Sequence, residues 1–315
     1  MKYSILIPIY NNQSFIPELI DVLTQANQKL ENNVEAVFVI DGSPDQSYAL
    51  LRDALPKLPF PAQLIAHSRN FGSFAAIRTG LKAARGQFFA VMAADLQEPP
   101  ALLLDLFAAL DKNECDVAIG TRSSRQDPFL SRMTANFYWK LYRKLVVHDM
   151  PPGGVDIFAC NELFRSHLLQ LEESRSSLIA LIFWLGFRRK LISYERQPRK
   201  EGKSAWTFRK KVDYMMDSIF SFTDYPVRLL TKVGAITSFV AVLLSIFIII
   251  ARLTQLIIIP GYAAIIVSVL LLGALNLFGL GLIGIYSWRG YENSKQRPLA
   301  VVAIQHSNHE NLNDF

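Results

Sequence analysis

The sequence predicts an α/β protein built on a parallel sheet, followed by a two-helix membrane hairpin. Two observations predict the sheet: short apolar runs alternate with segments of helical periodicity, and turn-forming polar segments follow successive runs. A third predicts the hairpin, since Val233 to Trp288 is nearly free of charge whereas the first 230 or so positions are an ordinary globular mixture.

Met1-Lys2-Tyr3 leads straight into the apolar run Ile5–Ile9, which is too short for a signal peptide and lacks a small-residue cleavage site, so it reads as the first strand. Pro8-Ile9-Tyr10-Asn11-Asn12 ends it, and Ile16, Leu19, Ile20 and Leu23 recur at helical spacing. Val34–Ile40 repeats the strand pattern, Asp41-Gly42-Ser43-Pro44-Asp45 breaks it, and Tyr48–Leu55 suits a second helix. Leu64-Ile65-Ala66 is a brief third strand. Arg69-Asn70-Phe71-Gly72 introduces a helix over Ala75–Ala84, ended near Gly86, and Phe88–Ala93 is a fourth strand before Asp95. Pro99-Pro100 opens another helix, and Val117–Gly120 is a further strand ending in Thr121-Arg122. Phe129–Val147 is a basic, aromatic-rich helical segment that suits either a membrane surface or a solvated helix with an aromatic core face. In a parallel sheet of this kind ligands bind beyond the carboxyl ends of the strands, where these polar loops lie.

A chain of 315 residues, 51% hydrophobic and 19% charged, accommodates one sizeable soluble domain and an appended module. Two cysteines, Cys115 and Cys160, are too few and too far apart for a disulfide scaffold or a zinc cluster, and fit a reducing compartment. A net charge of +6 suits anionic lipid, phosphates or nucleic acid.

Several polar groups stand where chemistry needs them. Asp41 follows a buried-looking strand and can accept hydrogen bonds from a base or ribose, with Asn11, Ser43 and Asp45 nearby; Asp-Gly is equally a turn signal. Asp95, in Ala94-Asp95-Leu96-Gln97-Glu98-Pro99-Pro100, can hold Mg²⁺ or Mn²⁺ against a diphosphate, or cap the helix that follows. Pro152-Gly153-Gly154-Val155-Asp156 offers a carboxylate where glycine permits close approach, suited to positioning an acceptor or taking a proton, or else a turn. Arg196, Arg199, Lys200 and Lys203 surround Gly202 and Ser204, either a cationic loop for a diphosphate leaving group or a solvated basic loop.

Together these motifs resemble family 2 glycosyltransferases of the GT-A fold, particularly the polyprenyl-phosphate hexosyltransferases that include dolichol-phosphate mannose synthase. The likeness runs over nearly the whole chain and rests on Ile7-Pro8-Ile9-Tyr10-Asn11, Asp41-Gly42-Ser43-Pro44-Asp45, Arg69-Asn70-Phe71-Gly72, Asp95-Leu96-Gln97-Glu98-Pro99-Pro100, Gly153-Gly154-Val155-Asp156 and Arg199-Lys200-Glu201-Gly202-Lys203-Ser204-Ala205-Trp206. The resemblance implies that Pro8, Tyr10, Asn11, Asp41, Ser43, Asn70, Gly72 and Gln97 line the nucleotide-sugar site. It also implies that Asp95 binds Mg²⁺ or Mn²⁺ and acts in catalysis with Asp156, and that Arg196, Arg199 and Ser204 bind the diphosphate. The implied partners are a nucleotide-diphosphate sugar (a UDP-sugar by analogy), a polyprenyl phosphate and the membrane, with no nucleic acid. The sequence departs from the family pattern at Ile40 and Ala93, where a second carboxylate is common in each case.

The expected organisation is a GT-A catalytic domain over 1–208, an amphipathic interfacial linker over 209–232, two transmembrane helices over 233–288 and a tail over 289–315. Arg209, Lys210, Lys211, Arg228 and Lys232 precede the first apolar run and Arg289, Lys295 and Arg297 follow the second, with Arg252 alone near the connector. The positive-inside rule then puts both termini in the cytosol, at the inner (cytoplasmic) membrane. A buried helical hairpin of a soluble core is the competing reading of these runs. Gly273, Gly279, Gly281 and Gly284 suit close packing within the hairpin or between subunits of a homo-oligomer. The expected reaction inverts the anomeric centre as a phosphate oxygen displaces the nucleoside diphosphate. Transfer to a hydroxyl of a lipid-linked glycan, and a non-catalytic membrane scaffold, are the alternatives.

Overall fold

The computed structural model describes residues 1–122, 140, 142–143, 147, 149–151, 155, 157–173, 176–197, 208–254 and 262–309. They divide into two compact units, Met1–Val212 with Arg297–Phe315, and Asp213–Gln296.

The first unit is a sheet with helices packed on it. Strand β1 (Tyr3–Ile9) is followed by helix α1 (Ile16–Lys29), β2 (Val34–Ile40) by α2 (Ser47–Ala54), β3 (Ala62–His67) by α3 (Ser73–Ala83), and β4 (Phe88–Val91) by α4 (Pro100–Asp111). Then come β5 (Val117–Arg122), β6 (Phe158–Asn161), α5 (Glu162–Gln170), α6 (Leu178–Trp184), β7 (Arg189–Tyr194) and, far along the chain, β8 (Val302–Ser307). The sheet order is β7-β5-β6-β4-β1-β2-β3-β8. The sheet is mixed, not purely parallel as the sequence predicts: β6 runs antiparallel between β4 and β5, and β8 runs antiparallel along β3. β8 pairs with a strand that ends far back in the chain at His67, so no local strand-helix alternation reports its direction.

All seven residues of β2 are buried, as are six of seven in β1, because helices cover both faces. Helix α1 lays Ile16, Leu19, Leu23 and Ala26 on this core. Glu35 on β2 is a carboxylate inside it. Ser4 Oγ and Gln63 Nε2 donate to it at 2.8 Å each and Arg85 N at 2.9 Å, so the buried carboxylate is bound on both oxygens. This polar knot lies at the opposite edge of the sheet from the carboxyl-end loops.

The second unit contains the body of α7 (Phe208–Phe222), α8 (Tyr225–Leu253) and α9 (Tyr262–Ser294). Helix α7 is fastened to the end of α9. Arg289 donates to Asp217 Oδ1 at 2.6 Å and to Ser221 Oγ at 3.1 Å, and Phe220 meets the Tyr286 ring edge-on. Among the described residues one segment, Leu271–Ser294, is long and apolar enough to cross a membrane, with a mean hydropathy of 1.6. Of the glycines expected to pack helices, Gly279 faces Leu230 of α8, whereas a Cβ on Gly273, Gly281 or Gly284 would meet nothing within 4 Å.

Candidate active site

Strands β1 to β5 and β7 point the same way, so the loops after β1, β2, β3, β4 and β7 share one edge of the sheet. The chain moves outward from β1 to β2 and β3, then returns to place β4 on the other side of β1, which makes the β1–β4 boundary the topological switch point. Strand β1 pairs with β2 as far as Ile9 but with β4 only as far as Leu6, so the two central strands part before their ends. Leu6 O accepts from Met92 N across that boundary, and Pro8, two residues on, faces the same side. Its missing N–H costs nothing there, because no ladder bond is required.

The β1 and β2 loops are stitched together. Asn11, at φ 56°, donates its N–H to Ser43 Oγ at 2.8 Å, and Ser43 donates in turn to Asp45 Oδ1 at 2.6 Å. Asp45 also accepts from Gln13 N and from the N–H and hydroxyl of Ser47. Burial pushes the Asp45 carboxyl upward, but the hydrogen bonds from Ser43, Ser47 and Gln13 outweigh it and hold it below the usual range. Asn is among the few non-glycine residues that take a left-handed backbone readily, and here that conformation accompanies the bond from the Asn11 N–H to Ser43. Tyr10, beside it, is exposed.

Asp41 organises the β3 loop. Its carboxylate is buried and accepts from Phe71 N at 2.8 Å, Gly72 N at 2.7 Å and His67 Nδ1 at 2.9 Å, while its carbonyl accepts from Asn70 Nδ2 at 3.2 Å. Burial raises its pKa, and these donors more than reverse that, leaving it lowered. The motifs at 41–45 and 69–72, separate in sequence, are thus one substructure. Asp41 faces inward, and the groups left to meet a ligand here are the exposed Asn70 side chain and the Arg69 guanidinium, which stacks on Phe71 at 4.2 Å.

The β4 loop holds the third group. Asp95 is half-buried, Gln97 and Glu98 are buried, and Leu96 adopts φ 51°. Asp95 does not cap α4, whose N-cap residue is Pro99, so the capping alternative fails. The segment after β7 reaches this loop: Gln197 N donates to Gln97 O at 2.9 Å, and Arg196 Nε lies 3.9 Å from Glu98 Oε1. Asp156, Arg199 and Ser204, with Gly153, Gly154, Lys200 and Lys203, lie outside the described residues, as does most of the basic segment 129–147. Among the described residues no three metal-binding side chains gather. A single oxygen donor such as Asp95 nevertheless fits Mg²⁺, which keeps several waters and takes few protein ligands beside substrate phosphates.

His67 and Thr79 belong to these networks and escape the reading by motif, and Glu98 stands inside the 95–100 motif with no role read for it there. A titratable residue closing an apolar strand just before a polar loop is the signal that marks His67.

The sequence model of glycosyl transferase family 2 matches residues 4–171. The chain belongs to glycosyltransferase family 2. This family 2 enzyme is 31% identical over 306 residues to the uncharacterized glycosyltransferase sll0501 of Synechocystis sp., covering 96% of this chain and 95% of that one. It is 33% identical to the putative glycosyltransferase CsbB of Bacillus subtilis, over 94% of this chain and 89% of that protein. It is 27% identical to the bactoprenol glucosyl transferase of Shigella phage SfV, over 96% and 98% of the two chains. The mixed α/β sheet is accordingly a GT-A-type glycosyltransferase fold, and the chain is a glycosyltransferase.

Proposed function

We propose that this glycosyltransferase moves a hexose from a nucleotide-diphosphate sugar, a UDP-sugar by analogy, to a polyprenyl phosphate at the cytosolic face of the membrane. The observation that carries the reading is the reach of the likeness to bactoprenol glucosyl transferase, which extends over 96% of this chain, long apolar helices included. Supporting a two-helix hairpin over 233–288, Met1–Val212 and Arg297–Phe315 form one unit, and β8 completes the same sheet as β1 to β7. Chain that leaves a sheet for the membrane and returns to it makes an even number of crossings. Basic residues flanking both outer ends favour a cytosolic location for both termini.

In this reading Pro8, Tyr10, Asn11, Ser43, Asn70 and Gly72 shape the nucleotide-sugar site, and Asp41 sets the loop that carries two of them. Gln97 presents the β4 loop. Bound at Asp95, Mg²⁺ or Mn²⁺ would neutralise the diphosphate charge that builds up as the sugar departs. Arg196, Arg199 and Ser204 receive the same diphosphate through charge-assisted hydrogen bonds. A phosphate monoester, with a second pKa of about 6, is already an anion at neutral pH and attacks the anomeric carbon without a strong base, inverting it. Asp156 then positions the acceptor.

The test is incubation of membranes containing the protein with labelled nucleotide sugars and short polyprenyl phosphates, followed by extraction of lipid. One donor should label a polyprenyl phosphate, and Asp95→Ala should remove the label. Label confined to a glycan hydroxyl, with none on polyprenyl phosphate, would overturn the acceptor assignment.

A further inference from the structure

We propose that His67 is a positioning residue of the nucleotide-sugar site, acting through Asp41. This rests on the reading above that the Arg69–Gly72 loop serves the donor.

The His67 side chain is wholly enclosed, and both of its ring nitrogens are used. Nδ1 lies 2.9 Å from Asp41 Oδ1 and Nε2 lies 2.9 Å from Thr79 Oγ1. An ionised carboxylate only accepts, so Nδ1 carries a proton and donates. The ring therefore links the end of β2, the end of β3 and the body of α3. It also meets Phe71 edge-on, with centroids 5.6 Å apart. Besides His67, the loop amides of Phe71 and Gly72 donate to the Asp41 carboxylate. Those two amides are held by an anion, and the rotation of that anion is set by His67, the one side chain among its carboxylate donors in the described residues. Ser68, the next residue, is tied from outside, its N–H donating to Val301 O at 3.0 Å. The start of the loop is thus fixed twice, once by Val301 just ahead of β8 and once by the buried histidine.

An apolar residue would fill the same volume. Filling does not orient a carboxylate, and two variants separate these roles by geometry. The shorter side-chain amide introduced by His67→Asn reaches the position of Nδ1, whereas the longer one introduced by His67→Gln reaches the position of Nε2. Full-length protein in detergent is compared by amide hydrogen exchange at Phe71 and Gly72 and by calorimetric affinity for UDP.

His67→Gln should speed exchange at both amides and weaken UDP about tenfold, the value of roughly one hydrogen bond to a charged group. His67→Asn should stay near the native values on both counts. Equal behaviour of the two variants, or unchanged exchange at Phe71 and Gly72 in His67→Gln, would overturn the proposal. Faster exchange in His67→Gln, restored in His67→Asn, with UDP affinity unmoved, would support positioning by His67 and count instead against the donor assignment of the loop.

Discussion

A Cβ placed on Gly42 would stand 2.3 Å from the carbonyl carbon of Arg69 and 2.3 Å from Asn70 N. Two segments nearly thirty residues apart touch backbone to backbone, and only glycine permits it. Gly42 also has φ +59°, so a side chain there is opposed by both space and conformation.

Gly42→Ala is therefore expected to be severe. Displacing the 69–72 backbone costs on the order of 3 kcal/mol or more by overpacking and strain together, and should abolish nucleotide affinity. Gly72→Ala makes the contrast: φ is +99° but a Cβ would meet nothing within 4 Å, so the cost is strain alone, about 1–2 kcal/mol. Denaturant unfolding of the two variants checks the ranking.

Acid should loosen the site in a defined window. Asp41 and Asp45 are held below the ordinary carboxylate range, and outside the site so is Asp116 just ahead of β5, first by its hydrogen bonds from Arg188. A folded-state pKa below the unfolded one gives stability that is complete above about pH 4 and is lost as pH falls through the lower value. The melting temperature should fall below about pH 4, and Asp41→Asn should flatten that fall while lowering stability at neutral pH.

The buried carboxylate on β2 predicts a different asymmetry. Glu35→Ala takes the acceptor from Ser4 and the Arg85 amide and leaves Gln63 Nε2 with Ala83 O alone, and is expected to cost about 3 kcal/mol or more. Glu35→Gln keeps an acceptor oxygen and should cost less. Both variants should retain UDP affinity when folded, since the knot lies at the opposite edge from the loops; calorimetry on folded protein tests this.

Removing residues 298–315 deletes β8 and bares the edge of β3. It takes away the Ser68 to Val301 bond and the contact between Tyr48 and His306 at 3.1 Å. The truncated protein should melt lower and bind UDP more weakly, although it keeps every side chain assigned to the donor. Native UDP affinity in the truncation would show that β8 does not support the loop.

The part of the fold legible in the sequence is the part with local periodicity. β1 to β4 and α1 to α4 each alternate once, and the expected bounds fall within a few residues of those observed: Tyr48–Leu55 against Ser47–Ala54, and Phe88–Ala93 against Phe88–Val91. β7 and β8 are edge strands of mixed polarity, Arg189–Tyr194 and Val302–Ser307, whose pairing is decided by partners far away in the chain. The site divides the same way. Asn11, Asp41 and Asp95 stand out as polar groups closing apolar strands. That Asp41 turns inward to His67 and two loop amides does not, because those bonds join residues 26 to 31 positions apart and no spacing rule reports them.

The place of β8 in the chain orders the birth of the enzyme. Val302–Ser307 follows α8 and α9 in the chain, so under the proposed topology the strand that covers the outer border of β3 is the last of the sheet to be synthesised.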